Sequence, residues 1–157
     1  MKSLILTMIL VLGGGFLFAA DDTITVGSAS VQRGNKVQIP ITWTRGVNDI
    51  SALQFDIALP SGVSVSSISP SNVETTAAKT LSSAMVANAE RVIVWGYNQT
   101  ALPTGTIAVL TLATSSAMIP GTYTLTIKNL VASSPDGQAI TITGTNGALT
   151  VTKTRRK

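Results

Sequence analysis

The stretch DISALQFDIALPSGVSV, residues 49–65, decides the fold class of this chain. Leu53, Phe55, Ile57 and Leu59 take every second position, with Ala52, Gln54, Asp56 and Ala58 between them. Successive side chains of a β-strand point to opposite faces, so the first set reads as a core wall and the second as an outward face. PSG at 60–62 then turns the chain.

The same period of two recurs on both sides. Ile24 and Val26 open a strand that runs on towards Val31, and RGN at 33–35 marks a turn. KVQIPITWT then puts Val37, Ile39, Ile41 and Trp43 on one face. Pro40 has no N–H to donate, which places it at a sheet edge or at a break in that strand. Val63, Val65 and Ile68 begin a fourth strand. Residues 71–90, rich in Ala, Ser and Thr, read as a loop followed by a strand around residues 81–87. RVIVWGY at 91–97 is rich in β-branched and aromatic residues. TIAVLTLAT at 106–114 aligns Ala108, Leu110 and Leu112, and TYTLTIKNL aligns Tyr123, Leu125 and Ile127. After the SPDG turn at 134–137, Ile140, Ile142, Leu149 and Val151 close the pattern. Eight or nine short strands separated by Gly, Pro and Asn turns indicate an all-β sandwich, and the lack of helical connections excludes parallel βαβ units.

The first 20 of the 157 residues read as an export leader. Lys2 precedes the apolar run LILTMILVLGGGFLF at 4–18, and the small residues Ala19 and Ala20 stand before Asp21 and Asp22. The run falls short of the ~18–20 residues that span a bilayer. Its removal leaves about 137 residues, enough for one domain with a full core. The sandwich is assigned to 21–152 and a basic tail to 153–157, and the destination is secreted, extracellular or in the cell envelope. Cysteine is absent, so stability rests on packing rather than disulfides.

The net charge of +4 is concentrated at the ends, at Lys2, Lys153, Arg155, Arg156 and Lys157. The body sets six basic residues against seven acids, a balance of −1, which is no nucleic-acid surface. Catalytic options are few. Without His or Cys there is no imidazole base, thiol nucleophile or zinc site built from them. The acids Asp21, Asp22, Asp49, Asp56, Glu74, Glu90 and Asp136 are scattered, and a calcium site needs about 6 to 8 oxygen ligands. The sequence therefore predicts a non-enzyme with no catalytic residues, no metal and no cofactor. The sequon NQT at 98–100 carries no weight, since three-residue matches are common by chance.

In collinear order, VQRGNKVQIPITWT, ISALQFDIALPSGVSV, RVIVWGYNQTALPTGTIAVLTLAT and IPGTYTLTIKNLVASSPDGQAITITGTNGALTV resemble the successive parts of a bacterial cohesin domain over about residues 23–152. The resemblance implies a nine-stranded jelly-roll β-sandwich, a fold shared with several carbohydrate-binding modules. It also implies a protein partner of the dockerin kind, within an extracellular polysaccharide-degrading or surface assembly. Carried over by position, the partner-binding face would use Ala52, Gln54 and Asp56 of the third strand. It would add Met85 and Ala87 of the fifth strand and Val94 and Gly96 of the sixth, with Gln99 just beyond.

Alternation places Trp43, Phe55 and Tyr123 with core residues, and Trp95 shares its face with Ile93 and Tyr97, which the resemblance makes the inward one. Two other readings stay open. One is a carbohydrate-binding module of the same fold, with Tyr97 and Asn98 as the candidate sugar contacts. The other is a structural or adhesive envelope protein.

Overall fold

The computed structural model describes residues 21–154. The expected leader at 1–20 and the last three residues of the basic tail lie outside them. In chain order the elements are β1 (Thr23–Val26), β2 (Ala29–Gln32), β3 (Lys36–Thr44), β4 (Ala52–Ala58), β5 (Val63–Pro70), α1 (Asn72–Ala77), β6 (Thr80–Val86), β7 (Ala89–Trp95), β8 (Gly105–Thr114), β9 (Gly121–Ser133), β10 (Ala139–Ile140), β11 (Thr143–Thr145) and β12 (Gly147–Thr152). One sheet runs β11-β1-β3-β8-β5; the other runs β2-β12-β9-β4-β7-β6, with β10 paired to β9. The expected all-β sandwich is present, cut into twelve strand segments among the described residues rather than nine.

Residues 52–58 of the opening stretch become β4, in the middle of the larger sheet between β9 and β7. Leu59 lies past its end, half-buried, and Val63 begins β5 of the other sheet. In β4, Leu53, Phe55 and Ile57 are buried, facing Ile39, Ile41 and Trp43 of β3 across a single core. Leu125, Ile127, Leu149 and Val151 continue the wall on β9 and β12. Each such side chain contributes about 1.5–3 kcal/mol by leaving water.

Two expectations are corrected by local sterics. The single first strand is two, β1 and β2, which belong to different sheets. The break is at Gly27, whose N–H donates to the Pro40 carbonyl at 2.8 Å. A Cβ on Gly27 would come within 2.7 Å of the Pro40 ring, so only glycine permits the crossing. Pro40 itself sits in an interior strand. β1 ends with Val26 opposite Ile41, so Pro40 has no β1 residue opposite it.

The loop expected before β6 contains a helix, α1. Ser71 caps it, with its Oγ accepting from the Val73 N–H at 3.2 Å while Glu74 Oε2 accepts from the Ser71 N–H at 2.9 Å. The signal was present as S-x-x-E at 71–74, the reciprocal pattern that satisfies two unpaired donors at a helix start. Burial pushes the Glu74 carboxyl up, and its Oε1 has no partner.

Candidate partner-binding face

Parity along β4, β7 and β9 sets which side chains leave the larger sheet outward. Gln54 stands opposite Ile93 of β7 on one side and Val131 of β9 on the other. Ser82 of β6 stands opposite Ile93, and Thr80 opposite Trp95. The outward row is therefore Ser82, Ile93, Gln54 and Val131, with Trp95 beside it. Val131 is 58% exposed and Trp95 37%. A shallow depression of about 130 Å³ lies between Gln54, Ile93 and Val131. Larger clefts of about 440 and 410 Å³ open at one end of the sandwich around Ser61 and Gly62, away from this face.

Tyr97, 99% exposed, stands on a braced turn just past β7. The Asn98 side-chain amide donates to the Ala77 and Ala78 carbonyls at 3.2 and 2.8 Å, and its Oδ1 accepts from the Thr100 N–H at 3.0 Å. The buried Lys79 ammonium donates to the Asn98 carbonyl at 2.8 Å, and burial lowers its pKa. Gly96 lies so close to this brace that a Cβ would meet Lys79 Cδ at 2.9 Å and the Ala78 carbonyl at 3.1 Å. Trp95 is held by its own contacts. Its Nε1–H donates to Ser82 Oγ at 3.2 Å, and its ring meets Tyr97 edge to face, with centroids 5.5 Å apart at 84°. An aromatic pair fixed in this way loses little conformational freedom when something covers it.

A charged cluster lies beside the aromatic patch. Asp56 is 2% exposed, and its carboxylate takes a two-pronged contact from Arg91, Nε at 2.7 Å and Nη2 at 2.9 Å. Asn129 Nδ2 donates to the same carboxylate at 2.7 Å. Asn129 reaches it from a bulge in the β4–β9 pairing, with φ +53, a left-handed conformation that Asn tolerates. Arg91, then Asn129 and Lys128, pull the Asp56 carboxyl down to about 2 against the burial that opposes them. Among the described residues no three His, Cys, Asp or Glu side chains gather as metal ligands would. This face offers apolar contact and fixed hydrogen-bond geometry.

The expected site is partly reordered. Ala52 and Gln54 do lie on the outward face, half-buried. Val94 does not: it is fully buried with Val92, and Ile93 and Trp95 point out instead, so the expected phase of this strand is reversed. Asp56 shares the outward parity but is covered and occupied by Arg91 and Asn129. Met85, 51% exposed, stands opposite Glu90, as Ile57 does, and so lies on the other side of the sheet at its edge. Ala87 occupies the β6–β7 turn with φ +54. Gly96 is backbone packed against Lys79, while Gln99 is exposed in the following loop. Of the two candidate sugar contacts, Tyr97 is free, whereas the Asn98 amide is committed to backbone at both ends. Sequence reasoning missed Trp95, Ile93 and Val131.

No family profile matches the chain, and no curated protein matches it by sequence. Solved structures match it throughout the sandwich. A non-cellulosomal cohesin from the hyperthermophilic archaeon Archaeoglobus fulgidus superposes with TM-score 0.74 at 15% identity, covering 85% of this chain and 93% of that one. A type I cohesin–dockerin complex from Clostridium thermocellum gives 0.75 at 15% identity, over 85% and 100% of the two chains. A cohesin from Acetivibrio cellulolyticus in complex with a dockerin gives 0.70 at 22% identity, over 82% and 97%. The fold is thus the cohesin-type jelly-roll sandwich expected from the sequence.

Proposed function

We propose that this chain is an exported, non-catalytic module that binds another protein through the outer face of β9, β4, β7 and β6. The observation that carries this reading is the Trp95–Tyr97 pair, exposed and braced beside Ile93, Gln54 and Val131. A rigid aromatic anchor among apolar and uncharged polar side chains is the composition of a protein interface centre. Several solved neighbours are cohesins bound to dockerins, which supports a protein partner of that kind in an extracellular or surface assembly. In this reading residues 1–20 direct export, 21–152 form the binding domain, and 153–157 are a basic tail. Gln54 supplies directional hydrogen bonds, and the exposed Lys128 presents positive charge that favours a carboxylate on the partner.

A second reading rests on the same exposed ring. Tyr97 could stack on a pyranose, as aromatic platforms of sugar-binding sandwiches do. Against it, Trp95 stands at 84° to Tyr97, so the two rings make no flat strip for a chain of sugars.

The test exposes the chain from Asp21 onward to the source organism's secreted proteins and, separately, to insoluble polysaccharides. Retention of one protein by the wild type, lost with Gln54→Arg and with Trp95→Ala, supports the proposal. Retention on a polysaccharide, lost with Tyr97→Ala, replaces it with the second reading.

A further inference from the structure

Besides the two-residue β10, which pairs only with β9, the two sheets end in four edge strands, β11 and β5 on one and β2 and β6 on the other. Exposed edges carry unpaired backbone donors and acceptors, and proteins shorten, bend or charge them to prevent pairing with another chain. Three of these edges are guarded. β11 has three residues and β2 has four. β5 is bent by a bulge between Val65 and Ser67 and ends at Pro70. The fourth edge, β6, has none of these protections. Its seven residues, TLSSAMV, pair with β7 without a bulge from Thr80 opposite Trp95 to Val86 opposite Ala89. They include no charge and no proline, and Ser82 to Val86 are exposed throughout.

We propose that β6 is a self-pairing edge that joins two copies of this chain antiparallel about a two-fold axis at Ser83. The strand is complementary to itself in that register. Leu81 of one copy falls opposite Met85 of the other, Ser82 opposite Ala84, and Ser83 opposite Ser83. Small side chains at the centre allow the strands to close, and the two Leu–Met pairs cover Met85, now half exposed. An uncharged strand has nothing to attract a charged peptide, which favours the second copy as occupant. A single strand pair is a small interface, so the dimer is weak and depends on concentration. Directly opposed residues of an antiparallel pair lie on the same side of the sheet. The two Trp95 faces therefore lie side by side on one continuous surface, available to a partner with two contact points.

Sedimentation of the chain from Asp21 onward, over about a hundredfold range of concentration, tests this. The wild type should pass from monomer to dimer. Ser83→Asp and Ser83→Lys should each stay monomeric, weakened more than about tenfold by like charges meeting at the axis. An equimolar mixture of the two should dimerise again, which only this register explains. Both variants should keep wild-type circular dichroism, since Ser83 is exposed. The proposal is overturned if the wild type is monomeric throughout, if Ser83→Asp dimerises like it, or if the mixture stays monomeric. None of these results bears on partner capture through Trp95.

Discussion

The two outer faces of the sandwich are made by the same kind of strand and carry different side chains. On the smaller sheet, outward positions of β3 and β8 pair Gln38 with Thr111, Pro40 with Val109 and Thr42 with Thr106. No strand of that sheet contributes an exposed large hydrophobic residue. On the larger sheet, Trp95, Val131 and the half-buried Ile93 face out around Gln54, and Tyr97 rises beside them. Both faces meet water in the free chain, so core formation does not explain the difference. Hydroxyl-rich strands are a sufficient solvent face, as the smaller sheet demonstrates. Exposed aromatic area on its counterpart is an expense in solubility that binding would recover.

The two faces should differ most at the aromatic pair. Replacing Trp95 and Tyr97 together with Ala should weaken partner binding at least about 30-fold in calorimetry, the loss of a buried hot spot. Stability should fall by less than about 1 kcal/mol, because neither ring belongs to the core. Equal losses in binding and stability would mean the pair is structural.

The next effect is on stability. Asp56→Asn should destabilise the fold by about 2 kcal/mol near neutral pH, matching a carboxyl held at about 2 rather than 3.8. A depressed carboxyl stabilises the folded state above its unfolded pKa and loses that effect as pH falls through its folded one. Wild-type stability should therefore drop between about pH 4 and pH 2, and denaturant titrations of Asp56→Asn should lack that part of the drop.

Gly96→Ala forces a methyl onto Lys79 and should cost about 1–2 kcal/mol in thermal unfolding. If the Tyr97 brace matters for binding, affinity should fall with it. The smallest effect is expected on the polar face. Thr111→Lys should change stability by less than about 0.5 kcal/mol and leave partner affinity unaltered.

Much of this was readable from residue order. β3 and β4 alternate apolar with polar or small residues, so their buried faces follow from counting. β7 defeats counting, because Val92, Ile93, Val94 and Trp95 are all apolar and either phase fits. Its true phase comes from the ladder with β4, in which Val94 opposes core-facing Leu53. The Asp56 contacts were hidden for a related reason. Arg91 is 35 residues away and Asn129 reaches the carboxylate only through a bulge, neither of which a local pattern announces. Gly27 shows the opposite case, a single residue whose closeness to Pro40 ends one strand and starts another.

In the proposed function a protein docks on the Trp95 face and not on the Thr111 face. The most direct test is a backbone and indole amide spectrum of the isotope-labelled chain, titrated with the captured partner. Shifts are expected at Gln54, Ile93, Tyr97, Val131 and the Trp95 indole N–H, with Gln38 and Thr111 unmoved. Shifts centred on Gln38 and Thr111, or on the Ser61–Gly62 end of the sandwich, would contradict it.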